Sequence, residues 1–150
     1  MLQKHQLRAV TAGLTCPPPK PKRRNLESEM QRALIRWWAG ACAGFGVREC
    51  LLFSIPNGGN WDAKRGSIMK LEGQRPGAPD LMLAKIFCTH FTEGSPNRMY
   101  AGLFLELKTP TGAVSPEQFE FHKFIRAQGY RTAVCRSLEE AQKVITEYLT

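Results

Sequence analysis

The stretch MYAGLFLELK, residues 99–108, decides how this chain is read. It has the length and apolar content of a strand in the interior of a sheet, and side chains alternate along a strand. Leu103, Leu105 and Leu107 therefore share one face, and Phe104, Glu106 and Lys108 share the other. An unpaired charge in the middle of a sheet is costly. Glu106 and Lys108, two apart at the strand's end, read either as a placed pair or as a salt bridge on a solvated edge. Asp80 favours the first reading. It follows Pro79 and opens the preceding strand candidate, LMLAKIF (81–87), so pairing of the two strands would set it beside Glu106 and Lys108. Carboxylates brought together raise each other's pKa unless a cation lies between them. Hard oxygen ligands with water suit Mg²⁺ or Mn²⁺. A metal, a water and the Lys108 ammonium at one spot would hydrolyse a phosphodiester.

Working outward, Met30, Leu34, Trp37 and Trp38 recur at helical spacing from Leu26 to about Ala39. Residues 39–46 read as a turn, and CLLFSI (50–55) as a buried strand. From Pro56 a loop of about twenty residues runs to Pro79, a length that is often functional. Ser115-Pro116-Glu117-Gln118 is a helix start with a capping box, and the helix is expected to bury Phe121, Phe124 and Ile125 before Gly129. YRTAVC (130–135) is a strand. Ser137 to Glu140 forms a second capping box, and Ala141, Val144, Ile145 and Tyr148 form the last apolar stripe. The expected class is α/β, a mixed sheet flanked by helices in the order α-β-β-β-α-β-α.

Two polar residues point towards the same end of the sheet. Glu27 lies three and seven residues before Met30 and Leu34, at the edge of the buried stripe, whereas Glu29 groups with Arg32 and Arg36. Gln118 lies three and seven residues before Phe121 and Ile125 and faces inward while also closing its capping box.

The chain has 150 residues, 43% of them hydrophobic, and a net charge of +8. This suits one domain with a tail, and there is no apolar run long enough to span a membrane or to form a secretory leader. Five cysteines, none in a CxxC pair, argue against a disulfide framework or zinc knuckle and for a reducing, cytoplasmic compartment. Lys4, Arg8, Lys20, Lys22, Arg23 and Arg24 lie in residues 1–25, which contain no acid and four prolines. That segment reads as a flexible basic arm, either a phosphate contact or a solvated tail, and leaves residues 26–150 at only +2.

The set ESEMQ (27–31), IPNGG (55–59), GAPDL (77–81), FLELKTPTGAVSPEQ (104–118) and GY (129–130) resembles the VRR-NUC branch, the virus-type replication-repair nucleases, of the PD-(D/E)xK superfamily. The resemblance implies a restriction-endonuclease-like fold over residues 26–150. It also implies a divalent-metal site of Mg²⁺ or Mn²⁺. Asp80 and Glu106 would be metal ligands, Lys108 the catalytic lysine, Glu27 the helix-borne acidic residue and metal ligand, and Gln118 the glutamine after the catalytic strand. Glu29 is the alternative to Glu27. The implied activity is a structure-specific DNA endonuclease, possible as a homodimer on branched, junction or flap DNA, of a phage or prophage kind.

Within the loop, Lys64, Arg65, Lys70 and Arg75 are the candidate DNA contacts, and Trp61 could stack on a base or cap a core edge. His5 and His122 (the latter read as a helix-flank residue) are given no role. Cys88 and His90 lack partners for a zinc site. Trp37 and Trp38 read as core or a dimer contact. The alternatives to an enzyme are a non-catalytic DNA-binding module on the same scaffold and an interaction protein with a solvated charged surface. Two carboxylates facing a polyanion weigh against mere binding.

Overall fold

A computed structural model describes residues 25–56, 63–88 and 99–150, at 63–65 the backbone alone. The basic arm, Asn25 excepted, as well as Trp61, His5 and His90, lies outside these residues. The elements are α1 (Leu26–Ala41), β1 (Leu52–Ser54), α2 (Ala63–Leu71), β2 (Leu81–Leu83), β3 (Phe87–Cys88), β4 (Met99–Tyr100), β5 (Leu103–Leu107), α3 (Pro116–Ala127), β6 (Arg131–Cys135) and α4 (Leu138–Leu149). The main sheet has the order β1-β2-β5-β6, antiparallel except for the parallel β5–β6 pair, and β3 pairs with β4 separately. β5 is thus interior, and its register sets Leu81 opposite Leu105.

Leu103, Leu105 and Leu107 are sealed in one core with Leu81 and Leu83 of β2, Leu34 and Trp38 of α1, and Ala141, Ile145 and Tyr148 of α4. Asn25 caps α1 by accepting from the Ser28 N–H, and the Trp38 indole donates to the Glu49 carbonyl (2.8 Å). Helix α1 is thereby tied to the turn that precedes β1, and its first turn lies by the ends of β2 and β5.

Five sequence expectations change. The twenty-residue loop contains the helix α2. The strand expected over 81–87 breaks after Leu83: the Lys85 carbonyl is taken by the Tyr148 hydroxyl (2.7 Å) instead of a strand neighbour. The strand expected over 99–108 breaks at Ala101-Gly102. There a Cβ on Gly102 would stand 3.1 Å from the Leu83 carbonyl oxygen and 3.3 Å from Tyr130, so a side chain would be tight. In α3, His122 is buried and Phe124 is 66% exposed. At about 100° per residue, Gln118, Phe121, His122 and Ile125 form one inward stripe and Phe124 falls outside it. The second capping box is also incomplete: Ser137 accepts from the Glu140 N–H, but the Glu140 carboxylate reaches on to the Arg136 N–H (2.7 Å).

Candidate active site

The ends of β2 and β5, the first turn of α1 and the first turn of α3 enclose a cleft of about 690 Å³. Glu27, Asp80, Glu106, Lys108 and Gln118 all line it; Glu29 is not among its walls. Strand register explains the two central acids. Leu81 pairs with Leu105, which places Asp80 opposite Glu106. Beyond them lies buried Pro79, which has no N–H for the ladder, and the Leu107 N–H donates to Asp80 Oδ2 (2.7 Å). Asp80 therefore finishes the ladder with its side chain and is held rigidly.

Glu106 is 1% exposed. Its Oε1 accepts from Lys108 Nζ (2.8 Å) and from Gln118 Nε2, while Oε2 is buried with no hydrogen-bond partner among the described residues. Gln118 is itself immobilised: its Oε1 takes the Ser115 N–H (2.9 Å) and its own N–H goes to the Ser115 hydroxyl (3.2 Å). The capping box and the inward role thus use different atoms of one side chain. Glu27, in the first turn of α1, accepts from the Thr109 N–H (3.3 Å) just beyond β5.

Burial pushes the Glu106 carboxyl up to about 6; the Lys108 hydrogen bond and charge oppose this, and the charges of Asp80 and Glu27 add to it. Asp80 is also raised, by burial first and by Glu27, against the Leu107 N–H and Lys108. For Lys108, 14% exposed, burial favours the neutral amine. The hydrogen bond to Glu106 and the charges of Glu106, Glu27 and Asp80 outweigh it, so the pKa rises and Lys108 remains an ammonium. Three carboxylates therefore face one cation. A buried carboxylate oxygen with no donor is costly, and a hard cation is what would satisfy it. Among the described residues no three His, Cys, Asp or Glu side chains converge into a ready-made cage. A partial set of this kind suits Mg²⁺ or Mn²⁺, which keep waters and are commonly held by one or two carboxylates and a substrate phosphate.

The candidate DNA contacts lie elsewhere. Lys64 and Arg65 fall within α2, and Lys70 is exposed in its last turn. Exposed Arg75 spends one guanidinium nitrogen on the Lys70 and Gln74 carbonyls. Of the two whose side chains are described, Lys70 and Arg75, neither lines the cleft.

Sequence reasoning missed Gln31 and Gly77, which also line the cleft. Gln31 was within reach, being four residues after Glu27 on one helix face. Gly77 was not. Its φ is +81°, and a Cβ there would lie 2.3 Å from the Glu117 carbonyl oxygen and 2.8 Å from the Gln118 nitrogen. Only glycine lets the segment leading to Asp80 pass this close to the helix turn that carries Gln118.

A mixed sheet that brings Pro79-Asp80 beside Glu106-Leu107-Lys108 has the arrangement of the PD-(D/E)xK nucleases. The VRR-NUC domain model matches residues 62–139, more than half of the chain, and the chain belongs to that family. The matched span holds Asp80, Glu106, Lys108 and Gln118; Glu27 precedes it. VRR-NUC proteins are nucleases and depend on divalent metal in general. A solved structure described as a VRR_NUC domain protein aligns with a TM-score of 0.63 at 22% identity, covering 81% of this chain and 86% of that one, which supports the fold. No curated protein matches the chain. Among the described residues no helix is long and apolar enough to cross a membrane.

Proposed function

We propose that the chain is a Mg²⁺- or Mn²⁺-dependent endonuclease that cuts DNA by water attack on phosphorus, with a preference for branched, junction or flap structures. The domain is taken as residues 26–150 and the segment 1–25 as a basic arm; a homodimer in a phage or prophage setting, working in the cytoplasm, fits the same reading. The observation that carries it is the buried Glu106 carboxylate beside Asp80, one oxygen gripped by Lys108 and Gln118 and the other without a partner among the described residues.

Asp80 and Glu106 would hold the ion, with Glu27 contributing from α1. A divalent cation bound there supplies charge to a phosphoryl oxygen and acidifies a water. The chain's own groups do the rest. Gln118 and Lys108 fix the Glu106 carboxylate through its Oε1. The Leu107 N–H fixes Asp80. Lys108 keeps its proton on Nζ, where the ammonium can orient the attacking water and offset the charge that builds on phosphorus.

The test is incubation of the full-length protein and Lys108→Ala with labelled linear, nicked, flap and four-way DNAs, in Mn²⁺ or EDTA. The proposal expects cleavage by the wild type in Mn²⁺ alone, faster on branched DNA, and none by Lys108→Ala despite retained DNA binding. No Mn²⁺-dependent cleavage of any DNA would remove it.

A further inference from the structure

Beside the acidic cleft lies a second hollow of about 460 Å³, sharing Ile55, Pro56 and Ala78 with it. Its character is opposite. Phe104, Phe121, Met69 and Ile125 line it, with Glu72, Gln74 and Arg75 as its polar residues. Phe104 lies two residues before Glu106, on the same face of β5, so the hollow continues the chemical face of that strand. Tyr130 meets Phe104 nearly edge-on (centroids 5.2 Å apart, 69°), and both Phe104 and Phe121 remain half-exposed. The Gln74 amide donates to the Pro56 carbonyl (3.2 Å), tying the segment after α2 to the wall between the two hollows.

Two half-exposed rings in an apolar hollow are not needed by the acidic site and are poor company for a phosphate. The volume lies within the roughly 300–1,000 Å³ of pockets that take small organic groups. The part of a nucleic acid with apolar faces and polar edges is the base. Unpaired bases are held by aromatic stacking and by hydrogen bonds to their edges. We propose that this hollow is a nucleobase subsite, receiving one unpaired base of the substrate strand next to the phosphate held at Asp80, Glu106 and Lys108. The proposal rests on the nuclease reading and extends it to the substrate's form. Phe104 and Phe121 supply the stacking surface, and Glu72 and Gln74 offer groups for the base edge. Removing a base from a duplex stack is unfavourable, and least so for one already unpaired. The hollow therefore selects flaps, gaps and junctions over plain duplex.

The test walks a single abasic residue through the positions flanking the cut in a cleavable branched DNA, using the full-length wild type in Mn²⁺. One position beside the cut should lower kcat/KM on the order of tenfold when its base is missing. In Phe121→Ala, and separately in Met69→Ala, intact and abasic DNAs should be cleaved alike. Equal wild-type rates at every abasic position would overturn the subsite while leaving the nuclease standing. So would a base dependence that survives both variants. Absence of cleavage of any DNA would instead sink the nuclease reading on which the subsite depends.

Discussion

The two faces of β5 are opposite in what they contribute. Leu105 is 0% and Leu107 2% exposed, and both belong to the core that residues of α1 and α4 complete. Glu106, between them in sequence, is 1% exposed but carries an oxygen that no group among the described residues satisfies. Burial of the leucines stabilises the sheet; burial of the carboxylate opposes it. The rigidity supplied by one face is what holds the other in an arrangement it would not adopt alone. Depth in this protein does not separate structure from chemistry.

The comparison can be broken by variants on either face. The largest effect is expected from Asp80→Asn, which should lower kcat by about 10³-fold with the melting temperature nearly unchanged. Lys108→Ala should lower kcat as much but also lower the melting temperature, since it takes the counter-ion from buried Glu106. A loss of stability in Asp80→Asn as large as that in Lys108→Ala would mean that Asp80 is structural. Leu105→Ala should do the reverse. Denaturant unfolding should show a loss of about 2–5 kcal/mol, with the activity per folded molecule retained. Gly77→Ala should affect both faces, because the added Cβ meets the Glu117 backbone in a left-handed conformation. A loss of about 1–3 kcal/mol is expected. It should come with a drop in cleavage rate, since the turn that carries Gln118 must shift; unchanged activity would show that the Gln118 contact is dispensable.

The burial of Glu106 has its own signature with pH. Its folded-state pKa lies near 6 against 4.5 when solvated, so the folded chain holds this proton more tightly than the unfolded one. The ionised form therefore weakens the fold above about 6, and the penalty fades as pH falls towards 4.5. Glu106→Gln, which mimics the protonated acid, should stabilise the metal-free protein by about 1–2 kcal/mol at pH 7.5 and by nothing at pH 4. The smallest effect follows from the same group: protons compete with the cation, so Mn²⁺ affinity should fall about tenfold per pH unit below about 6. An affinity flat from pH 7.5 to 5 would place the cation elsewhere.

Much of this face was legible in sequence because it depends on short-range rules. Alternation along 103–108 separated Leu from Glu and Lys, Pro79 marked where the neighbouring strand could no longer donate, and the capping box at Ser115 fixed the turn of Gln118. What stayed hidden depends on distant partners. α2 has no buried stripe, with Leu71 89% and Ile68 45% exposed, so its periodicity signals nothing. The strand breaks rest on Tyr148, sixty-three residues from Lys85, and on the crowding of Gly102 by Leu83 and Tyr130. His122 was misjudged through helix phase, since Phe124 was assigned the inward place by its apolarity. The hollow lined by Phe104 and Phe121 joins α3, β5 and the segment after α2, and no single stretch of sequence contains it.

Thermal unfolding of the wild type and Glu106→Gln, each in EDTA and in Mn²⁺ at pH 7.5, shows whether Glu106 is a strained cation ligand. The variant should melt higher than the wild type in EDTA, and Mn²⁺ should raise the wild-type melting temperature but not the variant's. A variant that melts lower in EDTA, or equal Mn²⁺ stabilisation of both proteins, would contradict that role.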